Sequence, residues 1–396
     1  MRFAVLGDLH LDPDDARFAR ASEQLRALSP GRVICLGDFG NGKASGTRAS
    51  FERARCWLEA LDVPFESLLG NHDLERVEVF ASDDEVVRSY CDAMRIEKPY
   101  DSFDLGEALG ITLSSTAFRN KRGYAHEVSI DEAQFAWFAD TLERHRDRPV
   151  FVFSHAPPLG SRLRVLQHPH LRGGNAWLNQ SNGPRRFSRL LERHPQVRLW
   201  FSGHNHLGQD HPRALSHVGR CLFVHTGVIG AQSRDGRHHS RLLDFEGGRV
   251  SIETLDHTTG AQRVAAEFDL MANTVTQHDV DEVEVAPPCF AAPGAEILGS
   301  DSQRGSLGRS VMVESQAMLV EFDRELEDPV GVVSDNPRHR TLGFEGDQLV
   351  AGGAANRLRV FPNDDGYYFA IPSRNRRLLG SARIALRALA RRVLAR

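Results

Sequence analysis

RFAVLGDLH, residues 2–10, decides the reading. Four apolar residues, Phe3 to Leu6, stop on Gly7 and hand the chain to Asp8 and His10. An apolar run of that length bounded by glycine reads as a buried strand. Two residues apart just beyond its end, Asp8 and His10 point the same way in extended geometry and can grip one ion. The same construction recurs four times: RVICLGD (32–38) delivers Asp38, and PFESLLGNHD (64–73) delivers Asn71, His72 and Asp73. PVFVFSH (149–155) delivers His155, and VRLWFSGHNH (197–206) delivers His204 and His206. The glycines let the backbone turn sharply and bring such loops close together.

Between these runs lie stretches of helical period, Thr47 to Leu61 and Ile130 to His145, the latter with Phe135, Phe138 and Leu142 on one face. Strands alternating with helices predict an α/β domain. In such a sheet ligands gather beyond the carboxyl ends of the strands, where all five loops would lie. Carboxylate and imidazole together suit first-row divalent metals. From about His257 the helical period fades, and runs such as EVEVAP, SVMVES, AMLVEF, RLRVFP and GYYFAI predict a smaller β-rich domain. The expected division is 1–257, 258–373 and a terminal segment 374–396.

That last segment carries eight arginines and no acid in a chain of net charge −4. On a helix its leucines share one face and Arg383, Arg387 and Arg391 another. Such a stripe suits docking on its own domain or on a second copy of the chain in a homo-oligomer. The basic face suits peripheral contact with an anionic membrane, and a disordered tail or a nucleic-acid contact stays open. The acidic bulk gives no strong nucleic-acid signal. Five scattered cysteines form no CxxC pair, which argues against a disulfide framework or a thiolate zinc site. No secretory leader precedes the first strand, so the cytoplasm is the expected compartment.

The ordered set DxH, GD, GNHD, H and GHxH resembles the signature of the calcineurin-like metallophosphoesterases, over roughly residues 1–250. The resemblance implies a four-layer α/β/β/α metallophosphoesterase sandwich, followed here by the β-rich domain and the terminal amphipathic helix. It also implies two divalent metal ions, Mn, Fe or Zn. Asp8, His10 and His206 would hold the first, Asn71, His155 and His204 the second, and Asp38 would bridge them. Asn71 and His72 would meet the substrate phosphate. His72 would be catalytic, protonating the leaving oxygen or stabilising the transition state, and Asp73 would orient its loop. A hydroxide generated between the ions would attack phosphorus in line.

Departures from subfamily patterns narrow the substrate. Asp38 is followed by Phe39-Gly40-Asn41-Gly42, without the arginine of the GDxVDRG pattern of Ser/Thr protein phosphatases and without the iron-binding tyrosine of purple acid phosphatases. The set looks most like the bacterial-type phosphodiesterases, so a phosphodiester is the expected substrate. A phosphomonoester is the alternative, and a catalytically silent scaffold requires a ligand loss that none of the seven metal positions shows. Asn175, Trp177, Asn179, Gln180, Asn182, Arg185 and Arg186 form either a specificity wall or an ordinary surface loop. Arg234, Arg237 and Arg241 are either anion-binding or solvated.

Overall fold

The computed structural model describes residues 1–76, 78–117, 128–158, 186–209, 214–233 and 236–278, three single positions (Ser161, Leu163, Leu178), and beyond 278 the backbone of seven strands. The terminal segment 374–396, Arg234, and the insert positions 175, 177, 179, 180, 182 and 185 lie outside the described residues.

Each apolar run of the opening pattern is a strand: β1 (Arg2–Leu6), β2 (Val33–Cys35), β3 (Phe65–Ser67), β6 (Val150–Ser154) and β7 (Val197–Ser202). The expected helices also form. Between β2 and β3 lies α2 (Arg48–Glu59), which starts on a capping box in which the Thr47 hydroxyl accepts from Ser50 N and Ser50 reaches back to Thr47 N. Asp131 likewise caps α4 (Glu132–Arg144) through Gln134 N. The other helices are α1 (Ala16–Leu28), α3 (Asp83–Met94) and α5 (Arg186–Arg193).

Two sheets organise this part of the chain. The remaining strands are β4 (Ser102–Leu105), β5 (Ala108–Leu113), β8 (Leu215–Val218), β9 (Cys221–His225), β10 (His239–Glu246), β11 (Arg249–Asp256), β12 (Gln262–Asp269) and β13 (Thr274–Gln277). One sheet runs β13-β12-β11-β10-β1-β2-β3 and the other β4-β5-β6-β7-β9-β8. The crossovers make β1, β2 and β3 parallel, and likewise β5, β6, β7 and β9. All five motif loops therefore leave the same kind of strand end.

Alternation along β1 assigns its two faces. Ala4 and Leu6 pack with Phe18, Leu25, Phe51 and Leu58 of α1 and α2, whereas Phe3 and Val5 pack with Phe151, Phe153, Leu199 and Phe201 of the second sheet. The Phe3 ring lies 6.5 Å from Phe151 and 6.4 Å from Phe153. On the far side of that sheet Trp200 meets Phe138 of α4 and Phe187 of α5. The motif loops thus rest on a core packed on both sides of each sheet. That rigidity holds short loops in fixed register.

The first sheet continues past the expected boundary at residue 257. Strands β12 and β13 extend the antiparallel meander begun by β10 and β11, and Ala266, Phe268 and Val275 join the core between the sheets. Beyond residue 278 follow β14 (Arg309–Ser310), β15 (Met318–Phe322) and β16 (Pro329–Ser334) in one sheet. A second sheet holds β17 (Leu342–Glu345), β18 (Gln348–Ala351), β19 (Arg357–Pro362) and β20 (Tyr368–Pro372). Among the described residues no helix is long and apolar enough to cross a membrane.

Candidate metal centre

The five strand ends converge. Asp8, His10, Asp38, Asn71, His155, His204 and His206 are all buried, and ligand atoms of Asp8, His10, Asp38 and His206 lie within 4.8 Å of one another. This group could hold a metal ion. Four of the seven, His10 (φ 40°), Asp38 (φ 52°), His204 (φ 67°) and His206 (φ 52°), adopt left-handed backbone. Non-glycine residues there cost about 1–3 kcal/mol each and persist where the surroundings over-determine them.

Glycines make the approach between loops tight. A Cβ on Gly203 would lie 2.5 Å from Asp8 Oδ2, and one on Gly70 would lie 2.1 Å from Asp38 Oδ1. The carboxylates are held through these gaps. Asp8 accepts from His204 N with both oxygens at 2.8 Å, and Asp38 Oδ1 accepts from His72 N at 2.9 Å.

The ring tautomers follow from the acceptors. Backbone carbonyls only accept, so His10 Nδ1 donates to Gly40 O (3.2 Å), His206 Nδ1 to Gln232 O (3.1 Å) and His155 Nδ1 to Leu36 O (2.8 Å). In the neutral rings each Nε2 is then a lone pair. His10 Nε2 and His206 Nε2 face each other at 3.1 Å, with Asp8 Oδ1 3.3 Å from His206 Nε2. The Asn71 amide is oriented too. Its Nδ2 donates to Glu75 Oε1 at 2.6 Å, which turns Oδ1 toward His155 Nε2 (2.9 Å) and His204 Nδ1 (3.0 Å).

Two groups of oxygen and imidazole-nitrogen atoms thus face inward, Asp8, His10 and His206 in one and Asn71, His155 and His204 in the other. Between them lies Asp38 Oδ2, buried without a hydrogen-bond partner, 3.4 Å from His155 Nε2 and 3.7 Å from His10 Nε2. Burying such groups is costly unless cations or protons sit between them. The donor set, oxygen and imidazole nitrogen with no thiolate, fits divalent first-row metals.

Electrostatics agree with that donor set. Burial opposes the Asp8 charge, but His206, His155 and His10 hold its carboxyl well below the usual range. Burial and neighbouring His206 push His10 down to about 4, so its ring is neutral and able to ligate. His155 is raised, because Asp38 and Asp8 outweigh its burial.

His72 sits at the half-buried edge, its ring 5.5 Å from that of His10. Burial lowers its pKa, but Asp38 and Glu75 more than compensate and lift it to about 10. Its Nδ1 lies 2.9 Å from Glu75 Oε2. One carboxylate therefore serves His72 and Asn71 together. Asp73 lies deeper and accepts from Asp38 N (2.8 Å), Phe39 N (3.0 Å) and Gly70 N (2.9 Å), so it pins the two loops that carry Asp38 and Asn71. Burial and the adjacent Asp38 push its carboxyl up to about 7.

With the geometry in place, comparison with known proteins is direct. A family profile described as calcineurin-like phosphoesterase matches residues 1–208. The chain belongs to that family. This chain is a hydrolase acting on phosphoester bonds. It is similar to a "Probable cyclic nucleotide phosphodiesterase" of Synechococcus sp., 25% identical over 234 residues, covering 56% of this chain and 79% of that protein. A 3',5'-cyclic-nucleotide phosphodiesterase of Nostoc sp. is 24% identical over 218 residues, covering 51% and 70%. Among solved structures, a purple acid phosphatase from yellow lupin seeds shares 12% identity at a TM-score of 0.48, over 70% of this chain and 57% of that one. GAP50 of Plasmodium shares 13% at a TM-score of 0.42, over 67% and 88%.

Two of the arginines named in the sequence, Arg241 and Arg186, fall elsewhere. Arg241 is neither solvated nor anion-facing. It pairs with Val5 across β1 and β10, so its side chain enters the core between the sheets, where Nε donates to His225 O and Nη1 to Thr254 Oγ1. Burial without a carboxylate lowers its pKa to about 9. Arg186 opens α5, pairs with Glu132 at 2.5 Å and lies over the Phe135 ring. Sequence reasoning missed Glu75, whose signal was an acid three residues beyond His72 at the edge of the GNHD motif.

Proposed function

We propose that this chain is a dinuclear metal-dependent phosphodiesterase. The observation that carries the reading is Asp38 Oδ2, a buried carboxylate oxygen without a hydrogen-bond partner, standing between two clusters of inward-facing acceptors. Asp8, His10 and His206 would hold one ion, Asn71, His155 and His204 the other, and Asp38 would serve both. Bound there, two divalent ions supply a nucleophile from water at neutral pH and neutralise charge on the phosphate.

The chain's own residues do the rest. Asp73 fixes the backbone on which Asp38 and Asn71 stand. Glu75 turns the Asn71 oxygen inward and accepts from His72 Nδ1–H, and the Nε2 proton of His72 is the one that would pass to the leaving oxygen. Asp38 and Glu75 favour the protonated ring, the form a general acid needs. A diester substrate is supported by the motif set and by the two named relatives, both cyclic-nucleotide phosphodiesterases by name. Position 42 is Gly, where the GDxVDRG pattern has its phosphate-contacting arginine, which weighs against a protein phosphatase.

The test is hydrolysis of bis-p-nitrophenyl phosphate beside p-nitrophenyl phosphate, and of 3',5'-cyclic AMP beside AMP. The full chain is stripped with chelator and reloaded with Mn, Zn, Fe or Co. The expected result is metal-dependent turnover with preference for the diesters. Preference for the monoesters, or turnover that survives stripping, would overturn the reading.

A further inference from the structure

The two ring nitrogens that meet at 3.1 Å, His10 Nε2 and His206 Nε2, are aimed by carbonyls of different loops. Gly40, beyond β2, holds His10, and Gln232, beyond β9, holds His206. β2 lies in one sheet and β9 in the other, and the Gln232 loop returns to the first sheet through β10, two strands from β2. Polar side chains join the two loops directly. Gln232 Nε2 donates to Asn41 Oδ1 at 3.0 Å, and Asn41 Nδ2 donates to Asp12 Oδ2 at 3.2 Å. Asn41 follows Gly40 directly, and Gln232 carries the second orienting carbonyl itself. The Asn41 amide is engaged at both ends, because Asp12 can only accept. Its oxygen is therefore turned toward Gln232 and cannot flip without losing both bonds.

We infer that the Asn41–Gln232 pair is a clasp that sets the distance between the two orienting carbonyls, and so positions His10 and His206 for a shared ion. This rests on the two-metal reading above. Both are positioning residues, and neither ligates. The pair lies at the surface, where an amide–amide hydrogen bond contributes little to folding. Its effect falls instead on the ligands it aims. Residues that orient metal-bound histidines typically change metal affinity about 10–100-fold when removed.

The experiment is Co(II) titration of the chelator-stripped full chain, followed by visible absorption and by competition with a chelator, for the parent, Asn41→Ala, Gln232→Ala and the double variant. Gln232→Ala keeps the backbone carbonyl, so any loss reports the side-chain clasp alone. The expected result is about tenfold weaker binding of one of the two ions in each single variant. The double variant should be no weaker than Asn41→Ala, since that substitution already removes the bond that Gln232→Ala removes. Thermal unfolding of the metal-free chains should coincide. A parent that takes up two ions, with variants within about twofold of it or with fully additive losses, would overturn the clasp alone. A parent that takes up no Co(II) would overturn the two-metal reading and the clasp with it.

Discussion

Glu75→Gln replaces one carboxylate oxygen with NH2 at almost unchanged volume. In the parent the two oxygens accept from Asn71 Nδ2 at 2.6 Å and face His72 Nδ1 at 2.9 Å. Glutamine has one acceptor for two donors, so one of them must face its NH2 group. Hydrogen bonds to a charged partner contribute about 1.5–3 kcal/mol, and each 1.36 kcal/mol of barrier is about tenfold in rate. The expected loss in kcat/KM is therefore about 10–100-fold. Two readouts tell which donor loses. If it is Asn71, its amide flips and the second ion binds more weakly. If it is His72, the loss is small for p-nitrophenolate, which leaves without a proton, and large for an alkyl alcohol, which needs one. The pH profile moves as well. Glu75 helps lift His72 to about 10, so without it the ring gives up its proton at lower pH and the alkaline limb of kcat/KM shifts down. Unchanged metal affinity, leaving-group dependence and pH profile in Glu75→Gln would refute the role assigned to this carboxylate.

Other perturbations have equally definite outcomes. Asp38→Ala removes the oxygen common to both acceptor clusters, so at least one ion and nearly all turnover should be lost, measured by metal content and diester hydrolysis. His72→Ala should keep both ions and lose rate mainly on poor leaving groups; metal loss in that variant would contradict the acid role. Gly70→Ala drives a Cβ to 2.1 Å from Asp38 Oδ1 and 2.8 Å from His155 Cε1, which should destabilise the fold by about 1–3 kcal/mol in denaturant titration and weaken metal uptake. His257, away from the centre, is buried against Gln24 and Ser240, and burial with neighbouring His239 depresses its pKa to about 3. The native state then binds fewer protons than the unfolded chain between pH 6.5 and about 3. The stability contributed by this group is present above 6.5 and lost as pH falls through that window. His257→Gln should flatten the acid limb of the stability curve.

Much of the candidate centre is legible in the sequence because the residues that would ligate come in short motifs directly behind apolar strands. The strand fixes where each loop begins, and parallel pairing brings the strand ends together. What holds the ligands in place is harder to read. Asn41, Gln232 and Asp12 are polar loop residues whose partners are far away in the chain, and nothing local distinguishes them from solvated turns. The left-handed backbone at His10, Asp38, His204 and His206 has no sequence signal either, since none of them is glycine. Arg241 is misread for a related reason: an arginine between Ser240 and Leu242 looks solvated until the pairing with Val5 turns it inward. The boundary near 257 follows a change from helical to strand texture. That change falls inside an antiparallel meander of the first sheet, begun by β10 and β11 and continued by β12 and β13.

The central claim is that this chain needs two ions for hydrolysis. Mn(II) titrated into the chelator-stripped full chain, with bound metal and diester turnover followed together, tests it most directly. The account predicts saturation at two ions per chain, with turnover appearing as the second is taken up. Full turnover at one bound ion, or at none, would contradict it.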